Sequence, residues 1–234
     1  MTDAMQAIAA TLQSDAEAVR IIAQNIANAQ NPAYRREIAV TTTSFDAVTS
    51  AVHAAKMRSV IDRTPGTLRN TGEPLHLAVE GSGFFVIDTG QGELLTRRGD
   101  FRLDGNGQLV THDGLAVLGG KGPIHIDGGS PAIDPDGTVR LAGTVVDRLR
   151  IADVPKDMDL QPAGDEGYVV ADGQTPPDAL APIVRQGFLE TSNVQSVNEM
   201  VQLMDTMRRF EAAQHFVRGY DGMTDEAIKT LGKI

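Results

Sequence analysis

The sequence predicts a mainly β domain inserted between two terminal α-helices that pair as a coiled coil, so that both chain ends form one discontinuous helical domain. Three observations predict it. Both ends carry apolar residues at alternating spacings of three and four. Residues from about Thr64 to Arg185 instead show short β-type runs between turns rich in glycine, proline and aspartate. Neither end has another predicted helix to cover its seam, so the nearest partner is the other terminus, of the same chain or of a neighbour. The implied division is 1–36 with 187–234 as helical domain, 37–63 as connector and 64–186 as β-rich outer domain.

In the first helix Met5, Ile8, Leu12, Val19, Ile22 and Ile26 keep the rhythm, and Asp15 interrupts it at one slot. Ala9, Ala16, Ala23 and Ala27 widen the stripe. Asn31 precedes Pro32 and is pushed toward extended geometry, which ends the helix near Ala29. The stretch "TTTSFDAVTSAVHAAKMRS" that follows is weakly patterned.

The middle contains "FFVI", "QLVT", "LAVL" and "PIHI" as strand-like runs, with "DTGQGE", "LDGNGQ", "GGKGP" and "DPDGT" as turns. The last helix places Met200, Leu203, Met207, Phe210, Val217, Ile228 and Leu231 on one register, with Gln214, Asp221 and Thr224 in its polar slots. Ser196 or Asn198 caps its start, and Glu199 lies in the first turn, where the helix dipole favours an anion. Gly219 and Gly222 weaken it, and one break or fray is expected near Gly222.

A chain of 234 residues with 41% hydrophobic content and a mean hydropathy of −0.16 is expected to fold around a real core. Its net charge of −10, with no run of lysine or arginine, argues against nucleic acid as a partner. The absence of cysteine excludes disulfides and thiolate metal sites. No apolar run reaches the length of a membrane span, and "MTDAMQAIAA" lacks the basic start and apolar core of a secretory signal. Composition alone therefore points to the cytoplasm.

Candidate chemistry is sparse. "GSGFFV" lacks the third glycine of a dinucleotide loop and runs into a strand, and "GGKG" lacks the first glycine and the hydroxyl of a phosphate loop. "LDGNG" and "IDPDG" echo the start of a calcium loop but have no glutamate at the twelfth position, so hairpin turns are the stronger reading. The five histidines show no metal-binding spacing. No catalytic residue, cofactor-binding residue or metal ligand is assigned.

"NIANAQNPAYRR" resembles the N-terminal signature of bacterial flagellar rod and hook proteins. Further blocks follow in the family's order: "TPGTLRNTGEPLHLAVEGSGFFVI", "TRRGDFRLDGNGQLVTHDGLAVLG", "GPIHI" with "IDPDGTV", and "GFLETSNVQSVNEMVQLMDTMRRFEAAQ". The short length argues against the hook protein, and "GPIHI" and "MRRFE" incline toward the proximal-rod members over the distal ones. The resemblance implies a structural subunit, exported by the flagellar type III apparatus without a cleaved signal, and a place in the periplasm-spanning rod. That replaces the cytoplasmic reading. Implied partners are further copies, other proximal and distal rod subunits and basal-body ring proteins, with neither nucleic acid nor membrane insertion. The implied assembly surface comprises the register residues of both helices together with Asn25, Asn28, Tyr34 and Arg35.

A helix end leaves carbonyls without partners, and Asn25 and Asn28 can donate to these or to a neighbour's backbone without carrying charge. Tyr34, Arg35 and Arg36 anchor the departing chain, with Arg185 or acidic side chains as their expected partners. Ala33 stands where the family usually has glycine, so a different turn geometry is expected there. The alternative from another class is a calcium-dependent β binding module that its helices merely dimerise.

Overall fold

A computed structural model describes residues 2–42, 56–155, 157–164, 167–171 and 173–231. These divide into two compact units. Residues 2–29, 37–42, 56–62 and 194–231 form a helical unit, and 30–36 with the described part of 63–193 form a β unit.

The helical unit contains α1 (Thr2–Ala27), β1 (Glu37–Thr42), β2 (Lys56–Ile61) and α2 (Ser196–Leu231). β1 and β2 form an antiparallel pair running from Glu37↔Ile61 to Thr42↔Lys56. The predicted coiled coil is corrected here. α1 does touch α2, but it also packs on β1 and β2, so its apolar stripe is shared between two kinds of neighbour. Along α1, Asp15, Ala18, Ile21, Ile22 and Asn25 are buried, a face broader than a coiled-coil seam and interrupted by two polar residues.

The side of α2 turned from solvent is Glu199, Leu203, Thr206, Phe210, Ala213, Val217 and Tyr220. It shares Leu203, Phe210 and Val217 with the predicted register but has Glu199 and Thr206 where Met200 and Met207 were expected. Glu199 and Thr206 are buried, while Met200 and Met207 stand 51% and 48% exposed. Periodicity misled here because a helix carrying apolar residues on two faces fits two registers. The deciding contacts are polar ones that hydrophobic spacing does not detect. The helix runs on through Gly219 and Gly222 to Leu231, so of the expected break or fray the break does not occur. Among the described residues, no helix is long and apolar enough to cross a membrane.

The β unit begins with β3 (Leu68–Asn70) and β4 (Leu77–Glu80), followed by the hairpin of β5 (Gly83–Asp88) and β6 (Glu93–Thr96). Two more hairpins follow: β7 (Arg102–Leu103) with β8 (Leu109–Val110), and β9 (Ala116–Gly119) with β10 (Gly122–Pro123). β11 (Ala132–Ile133), β12 (Thr138–Leu141) and β13 (Thr144–Arg148) form a meander of their own. β14 (Ile151–Asp153), β15 (Leu160–Pro162) and β16 (Tyr168–Val170) complete the large sheet. β17 (Ile183–Gln186) and β18 (Phe188–Glu190) return to pair antiparallel with β4 and β3. The large sheet has the order β15-β16-β6-β5-β9-β8-β7, with β14 added to β5 and β10 to β9.

β5 is the centre of this unit. Its run "GFFVID" does not alternate apolar with polar because both its faces are covered. Phe85 and Ile87 join Leu77, Leu109, Val117, Ile124, Ile126 and Val139 in one core. Phe84 and Val86 join Leu95, Leu118, Ala152 and Val170 in another. Phe85 meets Phe101 edge to face at 5.0 Å, a geometry that aromatic rings favour.

The turn motifs fold as hairpin turns. Asp104 Oδ1 accepts from the backbone N–H of Asn106 and of Gln108, both at 2.8 Å, and Gly107 takes a φ of 79°. The bond from Gln108 is the main cause that holds the Asp104 carboxyl below the usual range. Asp136 caps the next turn in the same way, accepting from Thr138 N at 3.0 Å.

Phe85→Ala removes the largest fully buried side chain of the sheet and is expected to cost the β unit about 3–5 kcal/mol. Urea unfolding followed by far-ultraviolet circular dichroism will measure the loss.

Candidate assembly surface

The helix end raised by the sequence is satisfied within the helical unit. Asn25 is 1% exposed. Its Oδ1 accepts from Glu37 N at 2.9 Å, and its Nδ2 donates to Glu37 O at 2.8 Å and to Glu199 Oε2 at 3.2 Å. One amide thus reads both backbone groups of the first β1 residue and joins them to the first turn of α2. A carboxylate could not do this, because two of its three contacts require a donor. Asn28 donates from Nδ2 to Gln24 O at 3.0 Å, filling one of the helix's terminal carbonyls.

Asp15, the interruption in the α1 pattern, lies opposite α2, with its Oδ1 3.5 Å from Arg209 Nη2. Arg209 also donates to Thr206 Oγ1 at 3.3 Å. The seam of the helical unit is therefore built around polar contacts at Asn25 and Asp15, with Leu203, Phe210 and Val217 half-buried along it.

In the β unit a second polar cluster ties the two terminal segments together. Glu190, at the end of β18, receives Arg35 Nη2 at 2.7 Å and Gly66 N at 2.8 Å on Oε1, and Arg97 Nη1 at 3.4 Å on Oε2. All three charged side chains are at most 3% exposed. Arg97 also donates to the carbonyls of Val79 and Gly81 and lies over the Phe84 ring, 4.9 Å from its centroid. Arg35 donates to Thr64 O. Burial pushes the Arg97 guanidinium down to about 10, against the pull of the Glu190 carboxylate, so it stays charged at neutral pH.

Close approach makes this cluster possible. A Cβ on Gly66 would lie 1.9 Å from Thr191 O. Ala33 N donates to Glu190 O at 2.8 Å, and Ala33 is held at a φ of 55°. The expected change of turn geometry does not occur: the left-handed conformation is kept with alanine in it. Asn193 completes the link. Its Oδ1 accepts from Arg36 N at 2.7 Å and its Nδ2 donates to Thr64 O at 2.9 Å.

The sequence-derived residues distribute as follows. Ile22, Asn25 and Arg35 are buried, and Ile8, Leu12, Val19, Ile26, Asn28, Tyr34, Leu203, Phe210 and Val217 are half-buried. Met200 and Met207 face solvent, and the side chains of Met5, Ile228 and Leu231 fall outside the described residues. Arg35 finds its partner in Glu190, whereas Arg185 pairs elsewhere, with Glu80. Sequence reasoning missed Glu37, Arg97, Glu190 and the seam role of Glu199. A charged residue inside an otherwise apolar strand block, as in "GFLETS", was the available signal for Glu190.

A family model described as "Flagellar basal body rod FlgEFG protein C-terminal" matches residues 185–230, and one described as "Flagellar hook protein FlgE/F/G D1 domain" matches 78–141. The flagellar basal-body rod protein FlgF of Rhizobium meliloti is 34% identical over 224 residues, which cover 90% of each chain. The chain belongs to the flagellar basal-body rod protein family. FlgF of Mesorhizobium japonicum is 32% identical over 221 residues, 90% of each chain. The rod protein FlgG of Bacillus subtilis is 32% identical over 175 residues, 68% of this chain and 66% of that one. Within the family this rod protein is most like the FlgF members, and it is a structural subunit of the basal body.

Two substitutions test the polar clusters of this rod protein. Asn25→Asp sets a carboxylate against Glu199 and the Glu37 carbonyl, and it is expected to destabilise the helical unit by about 3 kcal/mol. The helical dichroism signal should then melt at lower urea. Glu190→Gln keeps the shape but leaves two buried arginines without a counter-ion, at an expected cost of about 3–5 kcal/mol, measurable by denaturant unfolding.

Proposed function

We propose that this chain builds the proximal part of the flagellar rod, with its terminal segments, 1–36 and 187–234, packing laterally against copies of itself and against other proximal and distal rod subunits. The observation that carries this reading is a ridge on α2. Val197, Met200, Val201, Met204 and Met207 recur at spacings of three and four, and each is 48% exposed or more. A contiguous row of large apolar side chains on one helix face is what an interaction surface presents, whereas scattered single residues are normal on a monomer.

The outer side of α1 is small by contrast, with Ala9, Ala16, Ala23 and Ala27 exposed. A ridge of large residues fits a face of small ones, and two unlike faces make a heterologous contact. Repeated without closure, such a contact generates a helical array. In this reading the helical units carry torque through their lateral contacts, and basal-body ring proteins are further neighbours of the subunit. Asn28, just past the end of α1, is a further proposed contact of the helical unit, and Tyr34 is one of the β unit. A cysteine-free chain suits delivery in a largely unfolded state by the flagellar type III apparatus to a rod crossing the periplasm. The subunit's work is mechanical and it catalyses no reaction of its own.

Met204→Glu places a charge in the middle of the ridge without touching either polar cluster. In cells that lack the native copy, motility and recovery of the chain in purified basal bodies should be lost. The unfolding free energy of the isolated subunit should change by no more than about 0.5 kcal/mol. Normal motility with this variant would overturn the proposal.

A further inference from the structure

We infer that Met200, Met204 and Met207 are a modification site at which oxidation decides whether a free subunit can join the rod. The inference rests on the reading of the α2 ridge as the joining face. The three residues lie at i, i+4 and i+7, so their side chains share one face of the helix. They are 51%, 53% and 48% exposed in the free subunit. The chain has no cysteine, so its thioethers are the sulfur groups open to oxidation. Among the other described methionines, Met158 packs against the second core of the β unit and Met57 is half-buried, with Ser14 Oγ 4.0 Å from its sulfur, while Met223 is 74% exposed but lies well beyond the ridge along α2.

The chemistry needs only a hydroperoxide as co-reactant. A thioether lone pair attacks one peroxide oxygen, an S–O bond forms and the O–O bond breaks. The second oxygen leaves with its electron pair and takes up a proton, departing as an alcohol, or as water from hydrogen peroxide. Sulfur loses two electrons and the peroxide gains them. The product is a polar, chiral sulfoxide that enzymatic reduction can reverse.

The physical consequence follows from position. Three strong acceptors then stand on a ridge whose flanking residues, Val197 and Val201, offer no side-chain donor. Packing that ridge against an apolar neighbour would bury the acceptors unpaired, which is unfavourable. Once a subunit has joined, the same packing covers the sulfurs. The site is therefore sensitive before assembly and protected after it.

Peptide mapping of the purified subunit under dilute hydrogen peroxide comes first. Met200, Met204 and Met207 should oxidise several-fold faster than Met158, and equal rates would overturn the inference. In cells given a peroxide pulse, isotope-labelled subunits made during the pulse are then compared between the unassembled pool and purified basal bodies. Sulfoxide at the three ridge positions should be depleted several-fold in basal bodies, with sulfoxide at Met158 partitioning evenly. Even partition at all four positions would overturn the inference. Met204→Gln, a neutral polar stand-in for the sulfoxide, should lose incorporation without any oxidant while keeping its helical dichroism, and normal incorporation would again overturn it. If Met204→Glu blocks incorporation but Met204→Gln and the sulfoxide do not, only this inference fails. If Met204→Glu also incorporates normally, the assembly reading itself fails.

Discussion

Two arginines buried beside one glutamate set the terms for the β unit. Arg35 comes from the segment that follows the first helix, Arg97 from the residue directly after β6 and Glu190 from the last strand. Removing such charges from water is costly, and the cost is offset only when geometry and remaining hydrogen bonds are good. Here the carboxylate also receives Gly66 N, and the guanidinium groups are further satisfied by the carbonyls of Thr64, Val79 and Gly81. The arrangement therefore needs parts of the chain far apart in sequence to be present together. The pairings of β3 with β18 and of β4 with β17, the left-handed Ala33 and the glycine at 66 all serve that meeting.

The helical unit repeats the logic with different groups. Asn25 binds the start of β1 through its backbone and the start of α2 through Glu199, while Asp15 faces Arg209. In the helical unit the start of β1 and the first turn of α2 thus share one partner, Asn25. In the β unit the link is Arg36 N to Asn193. Polar contacts placed in a seam fix register more sharply than apolar ones, because a slip leaves a buried group unpaired. That explains why Glu199 and Thr206 are the two fully buried side chains on the inner side of α2, with Leu203, Phe210 and Val217 half-buried between and beyond them.

This division of labour connects packing to function. A rod subunit must hold its own fold and still offer surface to neighbours. The inward side of α2 carries Glu199 and Thr206 beside Leu203, Phe210 and Val217, and Val197, Met200, Val201, Met204 and Met207 remain exposed on its other side. Methionine is adaptable in packing, which suits the joining role proposed for this face, and it is also oxidisable.

The sequence by itself determined the element types and the punctuation. The 3/4 spacing marked both helices, Asn31-Pro32 marked the end of the first within two residues, and Asp-Gly and Asn-Gly turns marked the hairpins. These signals are local, arising from the steric preferences of a few neighbouring residues, and the ordered family blocks added the kinship. Only the tertiary structure decided partners. Whether α2 turns Met200 or Glu199 inward depends on Asn25, 174 residues away, and whether Arg35 is a surface anchor or a buried ion depends on Glu190. Long-range charge and hydrogen-bond pairing leaves no period in the sequence, so it becomes visible only when the folded chain brings its donors and acceptors together.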